Sequence, residues 1–398
     1  MNSLKSMNLI SQRAIVTFSA GFAAFLPVGA MYLAVMCLGI YVLVNIRGRL
    51  SIFSFEKKTF TAIYIYILVI LLSLLYTLYI GAWTDASASR LFHSARVVFL
   101  ISIGLLLTKE ERNILLRGFL IGSIFCAAIY FINAKVELPD FVIWHSMLSV
   151  IGNASSQKML MLACAGVIFF SYFLKTGSKI AFFIFACYFG VVFILGQSRN
   201  AQLIAIFLLL LIPLLFRRNW FIASILLGSA IICLTFITSD LFSDKLIAAT
   251  KEAVAYHQLS DCSGSVSVRL KMWSAAVDQT LRHVFTGTGL GTWESIWPTY
   301  TSACPQMSTI NNPHNDFALA GMELGIFGFI TTFYLYVVLF QRALFSSKTT
   351  GNHVGIIFIT CLIISSIFNA PLRDAALGMA LILFSTGLVN CKNRLGNF

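Results

Sequence analysis

The chain has 398 residues, of which 59% are hydrophobic, 14% aromatic and 11% charged, with a mean hydropathy of +0.87 and a formal net charge of +13. These values exclude an ordinary soluble domain and point to a polytopic membrane protein. Lipid offers no water to unpaired backbone groups, and the apolar runs are long and unbroken, so short alternating barrel strands are excluded and an all-α polytopic membrane fold is expected.

In chain order, spans are predicted near residues 14–28, 30–45, 59–82, 96–108, 117–134, 159–174, 180–196, 203–216, 220–238, 316–341, 354–369 and 375–390, about twelve transmembrane helices. Residues 14–45 supply one long helix or two short ones broken at Pro27-Val28-Gly29. More apolar chain follows Pro27 and Gly29, so the first segment reads as an anchor and not as a cleavable leader. Two helices there place most basic residues, including Arg47, Arg49, Lys57, Lys58, Arg217, Arg218 and Arg342, on the cytoplasmic side with both termini. The short outer loops then hold Arg90, Arg96, Lys135, Lys158, Arg199 and Arg373. Topology thus accounts for most of the positive charge, and nucleic-acid binding is not supported. The outward cations sit where an anionic lipid headgroup or phosphate could be held.

The predicted organisation is spans one to nine over residues 1–238, a long outer loop over 239–315 between spans nine and ten, and spans ten to twelve over 316–398. Within the loop, residues 244–257 and 266–284 read as amphipathic helices lying on the membrane. Thr286-Gly287-Thr288-Gly289-Leu290-Gly291 lacks the Lys-Ser/Thr of a phosphate loop and reads as a flexible turn. Seven of the nine cysteines lie in or beside apolar spans, where they act as small hydrophobes. Cys262 and Cys304 fall in the loop, where an oxidising exterior would let them bridge; two free thiols are the competing reading.

Chemistry is expected around the loop. His314 follows Asn311-Asn312-Pro313, which suggests Asn312 as helix cap, with His314 and Asp316 in the first turn. The helix dipole there disfavours imidazolium, and a neutral imidazole is what a general base needs. An interfacial loop histidine is the plainer alternative. Ala318, Gly321, Gly325 and Gly328 form a small-residue face for close helix approach, and Glu323 on the same helix needs a partner. Arg199, in the hairpin Gly196-Gln197-Ser198-Arg199-Asn200-Ala201-Gln202, offers a planar fork of donors at headgroup level suited to phosphate; snorkelling from a helix end is the competing role. Arg269 shares a helix face with Trp273 and is a second candidate cation, although a solvated basic face explains it equally well. Arg90, Arg96 and the pair Arg373-Asp374 are weaker candidates for the same surface. No Asp-x-Asp or His/carboxylate cluster suggests a metal site on the outer side.

His314-Asn315, nine further residues, then Gly325 and Gly328, is similar to the motif of the O-antigen ligase family, whose overall plan the chain also resembles. The resemblance implies a type C glycosyltransferase-like fold in the bacterial inner membrane with a periplasmic active site. It implies transfer of O-antigen polysaccharide from undecaprenyl pyrophosphate to a terminal sugar of lipid A core, by inversion and with no metal or other cofactor. It assigns His314 as base and Arg199 and Arg269 to the pyrophosphate; Asn315, Arg90, Arg373 and Asp374, which it does not assign, are expected as supporting residues from their own positions. The rivals are an O-antigen polymerase or a protein O-oligosaccharyltransferase using the same carrier, and, from another class, a transporter or flippase. A transporter is disfavoured because no repeat relates the two halves and the polar groups cluster outside.

Overall fold

Pro27 lacks a backbone donor and divides the first apolar stretch, so the N-terminal pair is two helices: α1 over Asn2–Phe22, a single 3-10 turn over Ala23–Phe25, and α2 over Val28–Val44. The computed structural model describes residues 2–49, 56–136, 148, 154–196, 198–216, 226, 229, 247, 250–252, 265–301 and 307–389, with only the backbone for residues 2–11, 154, 199, 212–216 and 265. Among the described residues all regular structure is helical.

The chain continues through α3 (Lys57–Tyr79), α4 (Asp85–Leu106), α5 (Lys109–Asn133) and α6 (Ala154–Thr176). Then come α7 (Lys179–Gly190), which runs on as a π-turn over Val191–Leu195, and α8 (Arg199–Phe216). After α9 (Ser265–Arg282), the chain ends with α10 (Asp316–Thr350), α11 (Val354–Phe368) and α12 (Ala376–Gly387). Five of the described helices, α3 to α6 and α10, are long and apolar enough to cross a membrane; α2, α7 with its π-turn, α8, α11 and α12 are shorter apolar helices. The expected span at 220–238, the first amphipathic helix apart from residues 247 and 250–252, and both Cys262 and Cys304 lie outside the described residues.

Sequence polarity misplaced the start of α4. Its first three turns, Asp85-Ala86-Ser87-Ala88-Ser89-Arg90-Leu91-Phe92-His93-Ser94-Ala95, are too polar to read as a span, yet they are helical. Thr84 and Ser87 form a reciprocal capping box that starts the helix. Arg90 and Arg96, expected in an outer turn, are therefore buried inside the helix bundle. A similar correction applies at the opposite end. Arg49 makes a two-pronged pair with Glu111 at 2.7 and 2.8 Å, and Arg342 bonds Glu56 at 2.7 Å, so these two cations, expected as topology charges, are interior fasteners. Glu111 additionally accepts from the backbone of Thr108 at 2.8 Å, which fixes the start of α5 to the same knot.

α10 is not one continuous helix. Gly325 takes φ 66° and ψ −163°, a region open essentially only to glycine, and breaks the ladder. The predicted flexible turn fills the break. Thr288 N donates to Met322 O at 2.9 Å, Gly289 N to Glu323 O at 3.2 Å, and Ile326 N to Val284 O at 2.7 Å, while Leu290 N donates to Thr77 Oγ1 of α3 at 2.7 Å. Residues 287–292 are buried, so this glycine-rich turn is a fixed plug and not a mobile one. The small-residue face does permit close approach, but by α9 and its following turn: a Cβ on Gly321 would meet Thr280 Oγ1 at 3.2 Å, and one on Gly325 would meet Val284 O at 2.5 Å.

Candidate active site

Three indoles hold the segment that leads into α10. Trp297 Nε1 donates to Met307 O at 2.8 Å, Trp293 Nε1 to Ile310 O at 2.9 Å, and Trp273 Nε1 to Pro313 O at 3.0 Å. Trp293 and Trp297 stack at 5.1 Å and are fully buried with Met272, Met307, Leu319 and Met322. Burial of side chains this large contributes about 1.5–3 kcal/mol each. This local core seats α9 on the N-terminal end of α10.

The helix begins three residues after the expected register, which had Asn312 as its cap. Asn315 is the cap, its Oδ1 accepting from Ala318 N at 2.9 Å, and Asp316 is the first helical residue. Asn312 instead accepts from His314 N at 2.8 Å, a short turn that leaves His314 outside the helix with φ 51°. It is the one positive-φ residue other than glycine among the described residues. That conformation is uncommon for a side-chain-bearing residue and is held here by the surrounding bonds. Its imidazole is pushed down to about 4, by burial first and then by the cations of Arg269 and Arg373. Desolvation, and not the helix dipole invoked from the sequence, is the first cause that favours the neutral imidazole.

His314 lines a cavity of about 500 Å³ at the end of the bundle where α4, α6, α8, α10 and α12 begin. Arg269 from α9, Asn200 from α8, and Arg373 and Asp374 from the α11–α12 turn line it too, together with Ser89, His93, Ser156, Gln157, Asn311, Asn312 and Asn369. Arg373 bonds Asn311 O and reaches Glu294 at 2.8 Å, which fixes the turn against the loop. Asp374 accepts from Gln157 Nε2 at 2.6 Å and from Leu377 N at 3.1 Å. Burial raises its carboxyl above the ordinary range, opposed by the Leu377 bond and then by Arg96. First-turn residues of α6, α8 and α12 reach the cavity, so several helix N-termini and their partial positive charge converge on it. The result is a polar chamber suited to an anion and a hydroxylated ligand.

Of the predicted site residues, the fold thus brings His314, Arg269, Arg373 and Asp374 together. Arg199 opens α8 next to Asn200, and its side chain lies outside the described residues. Asn315 caps its helix and does not line the chamber. Arg90 also stays out of it: its Nε bonds Glu323 Oε2 at 2.7 Å, both side chains buried, which supplies the partner that Glu323 needed. Sequence reasoning missed His93, Ser89, Gln157 and Asn369. For His93 and Ser89 the signal was present as an i, i+4 polar pair in the stretch taken for a loop.

Residues 180–333 match the family model of O-antigen ligase. The matched stretch runs from α7 through the break at Gly325 and contains Arg199, Arg269 and His314. The resemblance drawn from the His-Asn motif is therefore borne out, and the match supports the O-antigen ligase/polymerase superfamily, whose members are glycosyltransferase-like. No curated protein matches the chain in a sequence search. The matched region supplies α8, α9 and the head of α10 to the chamber, while α4, α6 and the α11–α12 turn come from outside it.

Proposed function

We propose that the protein is an O-antigen ligase: an inverting glycosyltransferase that moves O-antigen polysaccharide from undecaprenyl pyrophosphate to a terminal sugar of lipid A core, on the periplasmic face of the bacterial inner membrane. The observation that carries this reading is the meeting of a half-buried imidazole, its basicity depressed, with two guanidiniums in one polar chamber at a bundle end.

In the proposed reaction the acceptor hydroxyl gives its proton to His314 as its oxygen attacks the anomeric carbon. The bond from that carbon to the diphosphate oxygen breaks, and the electron pair leaves with undecaprenyl diphosphate. Arg269, with Arg199 at the head of α8, offsets the charge that develops there, and the helix N-termini add to the field. Supporting contacts come from Arg373 and Asp374. The mechanism uses no metal, and the diphosphate linkage itself supplies the driving force.

The test is transfer by purified protein from carrier-linked polysaccharide to rough lipopolysaccharide in EDTA, wild type against His314→Ala. Polysaccharide-capped lipopolysaccharide that depends on His314 supports a ligase. Lengthening of the carrier-linked chain without capping moves the assignment to a polymerase.

A further inference from the structure

Behind the chamber wall lie two buried cations with no carboxylate within ion-pairing distance among the described residues. Arg96, 6% exposed, donates to Tyr32 Oη at 2.9 Å, Leu372 O at 3.1 Å and Asp374 O at 2.9 Å, and its Nε has no partner. Lys158, 3% exposed, donates to Ala24 O at 2.8 Å and Leu26 O at 3.0 Å. Neutral carbonyls satisfy the hydrogen bonds of a buried cation but do not cancel its charge, and burying an uncompensated charge is costly. Asp374 is the carboxylate that acts on both, and it is already engaged by Gln157 and Leu377 N. The wall therefore keeps a positive excess.

His93 stands in front of this excess. It lines the chamber one helical turn before Arg96, and Arg96, Arg373 and Arg90 are close enough to act on it electrostatically. Its Nδ1 is buried with no hydrogen-bond partner, so the protein itself does not use the ring's full bonding capacity. Ser156 and Gln157, in the first turn of α6 immediately before Lys158, face the same space.

We propose that the donor's diphosphate, faced by Arg269 and Arg199 across the chamber, docks against the wall made by α4, α6 and the α11–α12 turn, where His93 hydrogen-bonds a phosphate oxygen while Arg96 and Lys158 balance its charge from behind. This rests on the ligase reading and deepens it: the leaving group lies on the His93 side, and the acceptor hydroxyl lies on the His314 side with Asn311 and Asn312. His93 is a substrate-binding group; Arg96 and Lys158 act through the field and not by contact.

The experiment measures binding of undecaprenyl diphosphate, carrying no sugar, to the full chain in lipid nanodiscs across a salt series. Wild type should bind, and His93→Ala should bind about tenfold more weakly, the scale of one hydrogen bond to a charged group. Lys158→Gln should lose a similar factor and flatten the salt dependence, while Lys158→Arg keeps both. A merely structural lysine would lower the melting temperature and leave the salt slope unchanged. Wild-type affinity in a folded His93→Ala protein overturns the proposal, and this variant decides alone if Lys158→Gln fails to fold. Wild type that does not bind the carrier at all overturns the ligase reading itself.

Discussion

The Trp273 indole, on α9, donates to the carbonyl of Pro313, the residue before His314, at 3.0 Å. One bond therefore links the helix that carries Arg269 to the turn that carries the candidate base. Trp273→Phe keeps the ring's bulk and removes only the donor. The loss is about 1 kcal/mol in stability, but the larger effect falls on the turn, whose positive φ needs its restraints. Transfer should drop by roughly tenfold or more with little change in melting temperature. Full transfer activity in this variant would show that the bond does not position His314.

The pH profile follows from the depressed imidazole. His314 sits at about 4 where an ordinary histidine has 6.5, so its neutral form persists well into acid. The rate should be flat between about pH 8 and 5 and fall only as pH approaches 4. Arg269→Gln removes the larger of the two cationic causes, so the acid limb should move up towards 6.5 while the maximum rate declines. The stability sign is the same: between 6.5 and 4 an unfolded chain takes up a proton that folded His314 refuses, so acid costs stability across that window. A wild-type rate that halves near 6.5 would contradict a half-buried neutral base.

Arg90 and Glu323 are fully interior partners at 2.7 Å, joining α4 to the last turn before the break in α10. Removing one leaves a buried charge without compensation, which costs about 3–5 kcal/mol. Arg90→Met and Glu323→Leu should each lower the melting temperature in detergent sharply, and the double variant should recover most of it. Additive losses in the double variant would mean that the two residues do not act as a pair.

Gly325→Ala tests the break itself. The backbone there is open essentially only to glycine, and the added methyl would meet Val284 O at 2.5 Å. The cost should be roughly 1–3 kcal/mol from the dihedrals alone, with more from the clash, and the plug at Gly287 should loosen. Limited proteolysis after Phe285 reads this directly: faster cleavage than wild type is expected, and equal protection would refute the role of Gly325.

Much of this arrangement was legible in the sequence. The apolar runs gave the helices because lipid permits little else, and His314, Arg269, Arg373 and Asp374 were picked out as polar groups near one end of the spans. What escaped was polarity inside the protein. His93 was assigned to a turn because hydropathy registers the average environment of a segment, and α4 hides its polar face against protein and not against lipid. Arg49 and Arg342 were read as topology charges because sequence does not reveal that Glu111 and Glu56 reach them. Asn312 and Asn315 are both plausible caps, and the choice is made by the tryptophan-held segment upstream, a tertiary effect. The break at Gly325 was hidden in a pattern equally suited to helix crossing.

That break also sets an order of assembly. The carbonyls of Met322 and Glu323 and the amide of Ile326 find their partners in residues 284–289, not in the next turn of their own helix. Until residues 284–289 have docked, the head of α10 lacks those bonds. His314 thus shares its setting with a joint in which two segments distant from the helix's own next turn complete each other, so the chamber is finished by tertiary closure and not by helix formation alone.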